Sequence, residues 1–248
     1  MISVCMATYN GAKYINLQIE SILEQLGSED ELVVCDDGSS DQTTAILSGY
    51  GDSRIRVHLN PIRLGHVRNF ERAILLARGD YIFLSDQDDV WVPGRIGKMM
   101  DSMCANANTL MVASNFDLID AQGTSVGEFR SLGPVKQFRC LQIASIFAGK
   151  SPYFGCTFLL KREALKYCLP IPAGIESHDI WFALVASALG GVVNLPGATL
   201  NHRVHDSNVS ARRPRALMVV LRSRLIFALA LVSRMPLCFG FKILKEKN

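Results

Sequence analysis

The sequence lacks the cysteine pattern of a metal cage or of a disulfide-stapled fold. Its seven cysteines form no Cys-x-x-Cys pair and are odd in number. A structural zinc site usually draws on such pairs, and a disulfide framework needs an even count. The cysteines therefore argue against a structural zinc site and against a disulfide framework. A reducing cytosol suits them best.

Long uncharged segments are also scarce. The longest charge-free run of the C-terminal part is residues 225–233, and four basic residues interrupt the apolar sequence around it. A membrane-spanning helix needs about 20 consecutive apolar residues, so a single span is disfavoured. A secretory leader is not expected either, because residues 2–7 have the composition of a core strand and lack a basic flank.

Repeats and low-complexity tracts are absent, and charge is unevenly distributed. Residues 1–211 carry 17 Lys and Arg against 22 Asp and Glu, whereas residues 212–248 carry nine against one. The chain is long enough for one large domain with a substantial core. We therefore expect a domain over residues 1–211 and a basic tail over residues 212–248, each with different partners.

Apolar runs alternate with helical patterns over the first hundred residues. A helix is predicted, for example, where Phe70, Ile74 and Ala77 fall on one face. Strands are predicted at four runs, residues 2–7, 32–35, 55–59 and 81–84. This β-α-β order predicts an α/β fold with a mainly parallel sheet flanked by helices.

The pattern loosens after Pro93. A helix is expected first, and residues 124–150 are then predicted to form mobile loops with a short helix. The remaining predicted elements are a strand at 109–114, a turn at 120–123, a helix at about 177–189, and paired apolar stretches at 192–195 and 198–204.

The basic tail is predicted to be an amphipathic helix at a membrane interface. Basic residues beside an apolar face attract anionic lipid by roughly 1 kcal/mol each near the surface. Two alternatives remain open from the sequence. The tail could be an ordinary helix that covers the sheet, or a helical pair that buries its own apolar side.

Three carboxylates follow the predicted strand at 81–84 within four residues. They are Asp86, Asp88 and Asp89, and they should emerge at the carboxyl end of the strand, where open α/β sheets place their ligands. At neutral pH they would repel one another unless a divalent cation or shifted pKa values relieved the repulsion. This predicts a metal and phosphate site; the alternative is an acidic turn that caps the next helix.

Two earlier strands also end in polar residues. The first runs into ATYNG at 7–11 and the second into DDGSSD at 36–41. Thr8 can accept from or donate to a nucleotide base, and Asp37 can hold a base N–H or a ribose hydroxyl. Taken alone, the second segment is more typical of a turn and a helix cap. Three such strand ends at one edge of a sheet favour a ligand site.

Six short motifs resemble those of glycosyltransferase family two, which has the GT-A fold. They occur in the family's order and cover about residues 1–210: ATYNG at 7–11, DDGSSD at 36–41, NPIRLGHVRNF at 60–70, GDYIFLSDQDDVW at 79–91, FGCTFLLKREAL at 154–165 and SHDIW at 177–181. The resemblance implies a Rossmann-like nucleotide-sugar-binding half at 1–92 and a mixed acceptor half at 93–211. SDQDDVW together with HDIW is similar to the rhamnosyltransferase-like branch.

The resemblance also implies roles on the donor side. Thr8, Asn10 and Asp37 would lie around the base and ribose, with Asp36 supporting the turn. Asp86 would face the ribose or the first metal shell. Asp88 would bind the Mg²⁺ or Mn²⁺ that bridges the donor diphosphate, because a hard cation neutralises the charge of the departing nucleoside diphosphate.

Two arginines and two histidines are further candidates on this side. Arg63 and Arg68 offer planar donors to phosphate or sugar, although exposed helix charges are an equally good interpretation. The family's Arg-x-His pattern matches Arg203 and His205 and makes His205 a candidate metal ligand. His202 is the weaker candidate. A polar loop whose histidines bond to the backbone is the alternative.

On the acceptor side, Asp179 matches the family's general base at a helix start. Many members carry Glu-Asp there, whereas this chain has His178-Asp179, so His178 could tune the base, contact the acceptor or face solvent. Asp89 would position acceptor or donor sugar hydroxyls. Trp181 would form a platform for the acceptor sugar or belong to the core.

The sequence thus predicts a metal-dependent inverting glycosyltransferase. It would move a sugar from dTDP-rhamnose or a UDP-sugar to a glycan or lipid-linked acceptor of bacterial surface polysaccharide, at the inner face of the plasma membrane. No nucleic-acid partner is expected. The alternatives are an aspartyl-nucleophile phosphatase, which the pattern Asp86-x-Asp88-x-Val90 also fits, and a noncatalytic sugar- or membrane-binding module.

Overall fold

The computed structural model describes residues 1–129, 132–205 and 216–245, without the side chains of residues 217 and 235–245. The nine strands of this part are β1 Ile2–Thr8, β2 Glu31–Asp36, β3 Ile55–Leu59, β4 Tyr81–Ser85, β5 Val90–Trp91, β6 Met111–Ile119, β7 Ser125–Phe129, β8 Phe158–Lys161 and β9 Val192–Arg203. The predicted domain boundary at residue 211 lies outside the described residues.

Eight α-helices and one turn of 3₁₀-helix, Gly155–Thr157, connect these strands within the described residues. The α-helices are α1 Ile15–Leu23, α2 Thr43–Gly49, α3 His66–Leu76, α4 Arg95–Cys104, α5 Arg139–Phe147, α6 Arg162–Cys168, α7 His178–Leu189 and α8 Leu217–Lys245. The predicted helix at about 177–189 is confirmed as α7.

One sheet runs through the described part in the order β3-β2-β1-β4-β8-β6-β9-β5, and β7 pairs with β6. The first four strands pair in parallel. In the second half, β6 and β9 are parallel, while β5, β7 and β8 pair antiparallel to their neighbours. The predicted α/β fold, with a parallel sheet in its first half and mixed pairing in its second, is therefore confirmed.

The parallel half is buried on both faces. Every residue of β2 is buried, and the central residues of β1 and β4 are equally enclosed, which is why these strands read as continuous apolar runs rather than alternating ones. One apolar cluster, around Phe70 of α3, lies on one face. The other, around Ile19 of α1, lies on the opposite face.

The strand order reverses between β1 and β4. The chain moves outward from β1 through β2 to β3 and then returns to place β4 on the other side of β1. At such a switch point the connections leave in opposite directions, and a crevice opens at the carboxyl ends of the two strands. Thr8 ends β1, and the three carboxylates follow Ser85 at the end of β4, so both meet at this crevice.

The prediction for residues 124–150 was wrong in part. A strand, β7, pairs antiparallel with β6, and α5 follows it. The connecting turn is held by Asp120, whose carboxylate accepts from the amides of Gln122 and Thr124, both at 2.9 Å. The strand is poor in buried apolar residues because it lies at the margin of the sheet, so its sequence carries little hydrophobic signal.

One further element differs from the predictions. The apolar stretches at 192–195 and 198–204 form one strand, β9, whose pairing with β6 shifts register around Asn115. Pro196 and Gly197 mark this irregularity in β9, as proline and glycine often do inside strands. The tail forms the long helix α8, and within the part of the chain that is described no helix combines the length and apolar character that a bilayer crossing requires.

Candidate active site

A cavity of about 330 Å³ opens at the crevice between β1 and β4. Its walls come from the ends of β1 and β4, the loop before α3, the 3₁₀ turn at Gly155 and the start of α7. Seven of the residues predicted for the site line it, namely Thr8, Asp37, Arg63, Asp86, Asp88, His178 and Asp179. The topology therefore brings the donor-side and acceptor-side candidates into one cavity.

At the end of β1, Thr8 is tied to the neighbouring strand end. Its hydroxyl donates to Asp36 Oδ2 at 2.9 Å. Asp36 in turn accepts from the backbone amides of Gly38 and Ser39 at 3.2 and 2.9 Å. The carboxylate thus holds the DDGSSD turn, as the resemblance implies for Asp36, and fixes the wall on which Thr8 stands.

Asp37 organises the loop that precedes α3. Its Oδ1 accepts from the amide of Leu64 at 2.6 Å and from Asn60 Nδ2 at 2.9 Å, and its Oδ2 accepts from the amide of Gly65 at 2.8 Å. Gly65 has φ 81°, a left-handed conformation that favours glycine. A carboxylate has about four acceptor positions, so Asp37 can hold this loop and still accept from a ligand.

Arg63 extends from the same loop across the aromatic ring of Tyr9. Its guanidinium carbon lies 3.8 Å from the ring centroid, within the range of a cation–π contact. Both residues line the cavity. The arginine is thus held against the wall with its planar donors available to an anionic ligand, which favours the predicted contact with phosphate or sugar.

Gln87 joins the acidic loop to the ATYNG loop, a contact that sequence reasoning missed. Its side chain accepts from the Tyr9 amide at 2.9 Å and donates to the Tyr9 carbonyl at 3.1 Å. A Cβ on Gly11 would clash with Gln87 Oε1, so glycine leaves room for this close approach. The only signal for this contact in the sequence is the position of Gln87 between Asp86 and Asp88.

The acidic loop concentrates negative charge at the cavity. Burial, followed by repulsion from Asp89 and Asp88, raises the pKa of Asp86 well above its ordinary value. Burial and the Asp89 charge also raise the pKa of Asp88, although His205 opposes this. This is the repulsion expected from the sequence, and in the absence of a cation it makes the loop electrostatically unfavourable.

His205 lies against Asp88, as the Arg-x-His pattern predicts. The distance between His205 Nε2 and Asp88 Oδ2 is 2.8 Å. The Tyr14 ring lies 5.0 Å from the His205 ring, tilted against it, and 4.6 Å from the Arg203 guanidinium. Arg203 also donates to the Asp88 carbonyl at 2.8 Å, so the histidine segment and the acidic loop are held together at several points.

Asp89 is turned away from the cavity into the protein. It is fully buried, accepts from the Arg203 amide at 3.1 Å, and lies 2.8 Å from His202 Nδ1. Burial opposes a charge on His202, but Asp89, Asp86 and Asp88 raise its pKa to about 9. At neutral pH the two side chains therefore form an ion pair in which His202 lines the cavity and Asp89 is buried behind it, which leaves Asp89 no direct path to a sugar.

Asp89 and His202 also lie near Cys156, and together the three could hold a metal ion. A thiol suits soft transition metals rather than Mg²⁺ or Mn²⁺. Burial raises the pKa of the Cys156 thiol well above its ordinary value, so this sulfur is kept as a neutral thiol. The ion pair between Asp89 and His202 accounts for the group without a metal.

At the start of α7, Asp179 lines the cavity. Ser177 caps this helix by accepting from the Ile180 amide at 3.3 Å, so Asp179 lies in the first turn without serving as the cap. Burial would raise the pKa of Asp179, but His178 and His66 lower it below its ordinary value. The carboxylate is thus kept ionised, as a base requires.

His178 is buried beside this carboxylate, with His178 Nε2 at 2.7 Å from Asp179 Oδ1. Its ring stacks on Phe70 with centroids 4.4 Å apart and lies 5.0 Å from the ring of His66. Neither His178 ring nitrogen has another hydrogen-bond partner among the described residues. His178 is therefore paired with the Asp179 carboxylate inside the protein and does not face solvent.

Gly155 provides the space for this pair, and sequence reasoning missed it. A Cβ at this position would lie 2.7 Å from both Asp179 Oδ1 and His178 Nε2, which is closer than real side chains approach one another. His66 was also missed, although burial and the neighbouring His178 lower its pKa to about 4 and so keep it neutral. Both residues lie within motifs that carry the family resemblance.

Besides Asp89 and His205, three further predicted site residues do not line the cavity. Asn10 accepts from the Ser40 amide at 2.8 Å and supports the adjoining turn. Arg68 pairs with Glu71 and donates to the Ile171 carbonyl at 2.8 Å. Trp181 is fully buried and donates to the Cys168 carbonyl at 2.8 Å, so the structure places it in the core rather than at an acceptor platform.

Comparisons with known proteins agree with this geometry. A Rossmann-like parallel half, a mixed second half and an acidic loop at the switch point define a glycosyltransferase of the GT-A fold. The model of the family "Glycosyl transferase family 2" matches residues 3–169, and the chain belongs to this family. The family assignment excludes the aspartyl-nucleophile phosphatase.

Individual relatives agree. WfgD of Escherichia coli, a UDP-Glc:alpha-D-GlcNAc-diphosphoundecaprenol beta-1,3-glucosyltransferase, is 26% identical over 88% of this chain and 82% of its own. An uncharacterized glycosyltransferase of Haemophilus influenzae is 30% identical over 74% of this chain and 70% of its own. A crystal structure of S. aureus TarS with UDP-GlcNAc has a TM-score of 0.70 at 19% identity. The match covers 92% of this chain and 66% of the TarS chain. At this low identity it supports the fold alone.

The residues of the acidic loop fit the divalent cation that GT-A enzymes usually use. Adjacent oxygen or nitrogen ligands of an octahedral cation, each at about 2.1 Å, are roughly 3 Å apart. The 2.8 Å between Asp88 Oδ2 and His205 Nε2 is close to that spacing. A cation there would also relieve the repulsion that raises the pKa values of Asp86 and Asp88.

Proposed function

We propose that this glycosyltransferase is a metal-dependent, inverting enzyme that transfers a sugar from a nucleotide-sugar donor to a hydroxyl of a lipid-linked or glycan acceptor. One observation carries the proposal. A carboxylate kept ionised, Asp179, lines the same crevice as Asp88, and His205 contacts Asp88.

The donor is assigned to the strand-end side. Thr8 and Asp37 would contact the base and ribose, Arg63 would contact phosphate or sugar, and Asp86 the ribose. Asp88 and His205 would hold Mg²⁺ or Mn²⁺, which neutralises the charge of the departing nucleoside diphosphate. Asn10 and Arg68 would act only by supporting the loops on which these contacts stand.

The chemical step follows from the position of Asp179. Its carboxylate takes the proton from the acceptor hydroxyl as that oxygen bonds to the anomeric carbon. The bond between this carbon and the donor phosphate oxygen breaks at the same time, and the nucleoside diphosphate leaves. Attack on the face of the sugar opposite the departing diphosphate would invert the anomeric configuration, as the family resemblance implies.

For the donor and acceptor we favour a UDP-sugar and a diphosphate-linked lipid. WfgD and WfaP of Escherichia coli, both 26% identical to this chain, carry names with UDP-Glc and GlcNAc-diphosphoundecaprenol. A related enzyme, WbnJ, is named for O-antigen biosynthesis. The protein would then act in surface polysaccharide synthesis, with its basic tail at the inner face of the membrane. The dTDP-rhamnose donor remains the competing assignment.

A panel of donors tests this function directly. Thermal stability would be measured with Mn²⁺ and UDP-glucose, UDP-GlcNAc, UDP-galactose or dTDP-rhamnose. A ligand at a hundred times its dissociation constant adds about 2.7 kcal/mol to the free energy of unfolding, so the correct donor should raise the melting temperature clearly. Stabilisation by UDP-sugars, lost with EDTA, is expected. Stabilisation by dTDP-rhamnose alone would transfer the assignment to rhamnose, and no stabilisation by any donor would favour a noncatalytic module.

His178 gives a second prediction, because it lowers the pKa of Asp179. Replacing it by Phe keeps a ring against Phe70 and removes the contact with the carboxylate. The pKa of Asp179 should then rise, so the acidic limb of the kcat profile should move to higher pH, with little change in the donor KM. His178→Gln, which retains a donor near the Nε2 position, is the control and should move the limb less. An unshifted profile in His178→Phe would limit His178 to packing.

A further inference from the structure

Helix α8 has two apolar faces, of which only one is covered by the protein. Ser223, Phe227 and Leu231 recur every four residues on the covered face and are all buried. Phe227 and Leu231 belong to the same apolar cluster as α7. The sequence left open whether the tail covers the domain. The buried face of α8 shows that the tail does cover the core.

The opposite face carries an exposed apolar stripe. It consists of five residues spaced by three or four positions, Met218, Leu221, Leu225, Leu229 and Val232, with exposed fractions of 76, 54, 60, 62 and 62%. At about 100° and 1.5 Å per residue they form one narrow line roughly 21 Å long. Water-soluble surfaces rarely expose a continuous apolar line of this length without a partner.

The charges around the stripe identify the partner. Arg222 and Arg224 follow Leu221 and precede Leu225, so one basic residue lies on each side of the line. No acidic residue occurs between positions 217 and 245, and residues 212–248 carry nine basic residues against one acidic residue. An apolar line flanked by cations is the pattern of a helix that lies in the surface of an anionic bilayer.

The same helix stands directly behind the acceptor wall. Ser223 donates to Glu176 Oε1 at 2.7 Å, and Glu176 lines the cavity three residues before the base. A Cβ on Gly174 would contact Ile226 at 3.5 Å, so the segment before α7 rests on α8. A membrane on the exposed face of α8 would therefore lie within one helix thickness of the acceptor side.

We infer that the stripe from Met218 to Val232 is a membrane-docking surface for anionic lipid, and that docking brings the acceptor side of the cavity to the bilayer. The second part rests on the proposed function, because it concerns a lipid-linked acceptor. The first part, docking of the stripe on anionic lipid, does not rest on the proposed function, because vesicle binding needs no turnover.

The test uses the full chain, because truncation of the tail would also remove Phe227 and Leu231 from the core. The variant is Leu225→Gln combined with Leu229→Gln. The control is Leu17→Gln combined with Leu75→Gln, whose leucines are 52 and 66% exposed on α1 and α3. All three proteins would be floated with vesicles of phosphatidylglycerol and phosphatidylcholine, and with phosphatidylcholine alone.

The parent and the control should bind the anionic vesicles, and the α8 variant should bind at least about tenfold more weakly, since two exposed leucines no longer enter the bilayer. Added salt should weaken the parent's binding by screening. Equal binding by the α8 variant would overturn the inference. So would a parent dimer that the α8 variant converts to a monomer in sedimentation, because the stripe would then be a subunit interface.

Activity separates this inference from the proposed function. With a water-soluble acceptor analogue, the α8 variant should retain parental turnover. With a lipid-linked acceptor in anionic vesicles, it should lose turnover in parallel with vesicle binding. If no protein transfers sugar to any acceptor but vesicle binding follows the stripe, the proposed function fails and the docking surface stands.

Discussion

Replacing Asp179 by Asn is expected to reduce sugar transfer by at least about a hundredfold at saturating donor. A sugar hydroxyl is a poor nucleophile, and a carboxylate positioned to take its proton contributes on the order of 10² to 10⁴ in rate. Because Ser177 caps α7, the substitution should leave the helix intact. Donor and Mn²⁺ binding should therefore remain close to that of the parent, and the melting temperature should fall only modestly, because the lowered pKa of Asp179 means that its charge stabilises the fold.

Two variants make this result specific. Glu163→Gln removes a carboxylate from the first turn of another helix, α6, and should leave transfer unchanged. Gly155→Ala keeps the carboxylate but places a Cβ 2.7 Å from Asp179 Oδ1; it should lose transfer through misplacement of the base while donor binding persists. Transfer by Asp179→Asn within tenfold of the parent would rule out the base role and direct attention to Glu176.

The parallel half of the fold could be predicted from the sequence because its strands are buried on both faces. Residues 32–35 and 81–84 read as unbroken apolar runs, and the polar residues after them had to meet at one edge. The prediction failed for β7 because a marginal strand carries little hydrophobic signal. It also failed to merge the stretches around Pro196 into β9, because a proline at a register shift looks like a break between strands.

The strength of the signal in the sequence also explains which site residues could be predicted and which could not. Asp86, Asp88, Asp179 and His205 were predicted because charge in a motif is visible in the sequence. Gly155 was missed because its contribution is empty space, which exists only once the 3₁₀ turn and α7 meet. Trp181 was given two roles because an aromatic ring near a helix start suits both a sugar and a core, and only the packing decides between them.

Replacing Asp88 by Asn is expected to weaken Mn²⁺-dependent donor binding by at least about a hundredfold. Loss of groups that merely support a metal ligand typically costs 10- to 100-fold in affinity or activity, so loss of a ligand should cost at least as much. Calorimetric titration of the donor nucleotide with Mn²⁺ would measure it. In EDTA the parent and the variant should bind equally weakly, because the difference between them lies in the cation.

The free protein distinguishes this role from a simple hydrogen bond between Asp88 and His205. The pKa of Asp88 is raised in the fold by burial and by Asp89, so the folded protein holds its proton more tightly than the unfolded chain does. The ionised side chain therefore lowers the free energy of unfolding at neutral pH. This loss of stability grows as the pH rises through the folded pKa. Asp88→Asn should accordingly melt no lower than the parent in EDTA, whereas loss of a stabilising hydrogen bond would lower the melting temperature. A variant that melts lower in EDTA and binds the donor like the parent in Mn²⁺ would show that Asp88 only supports its loop.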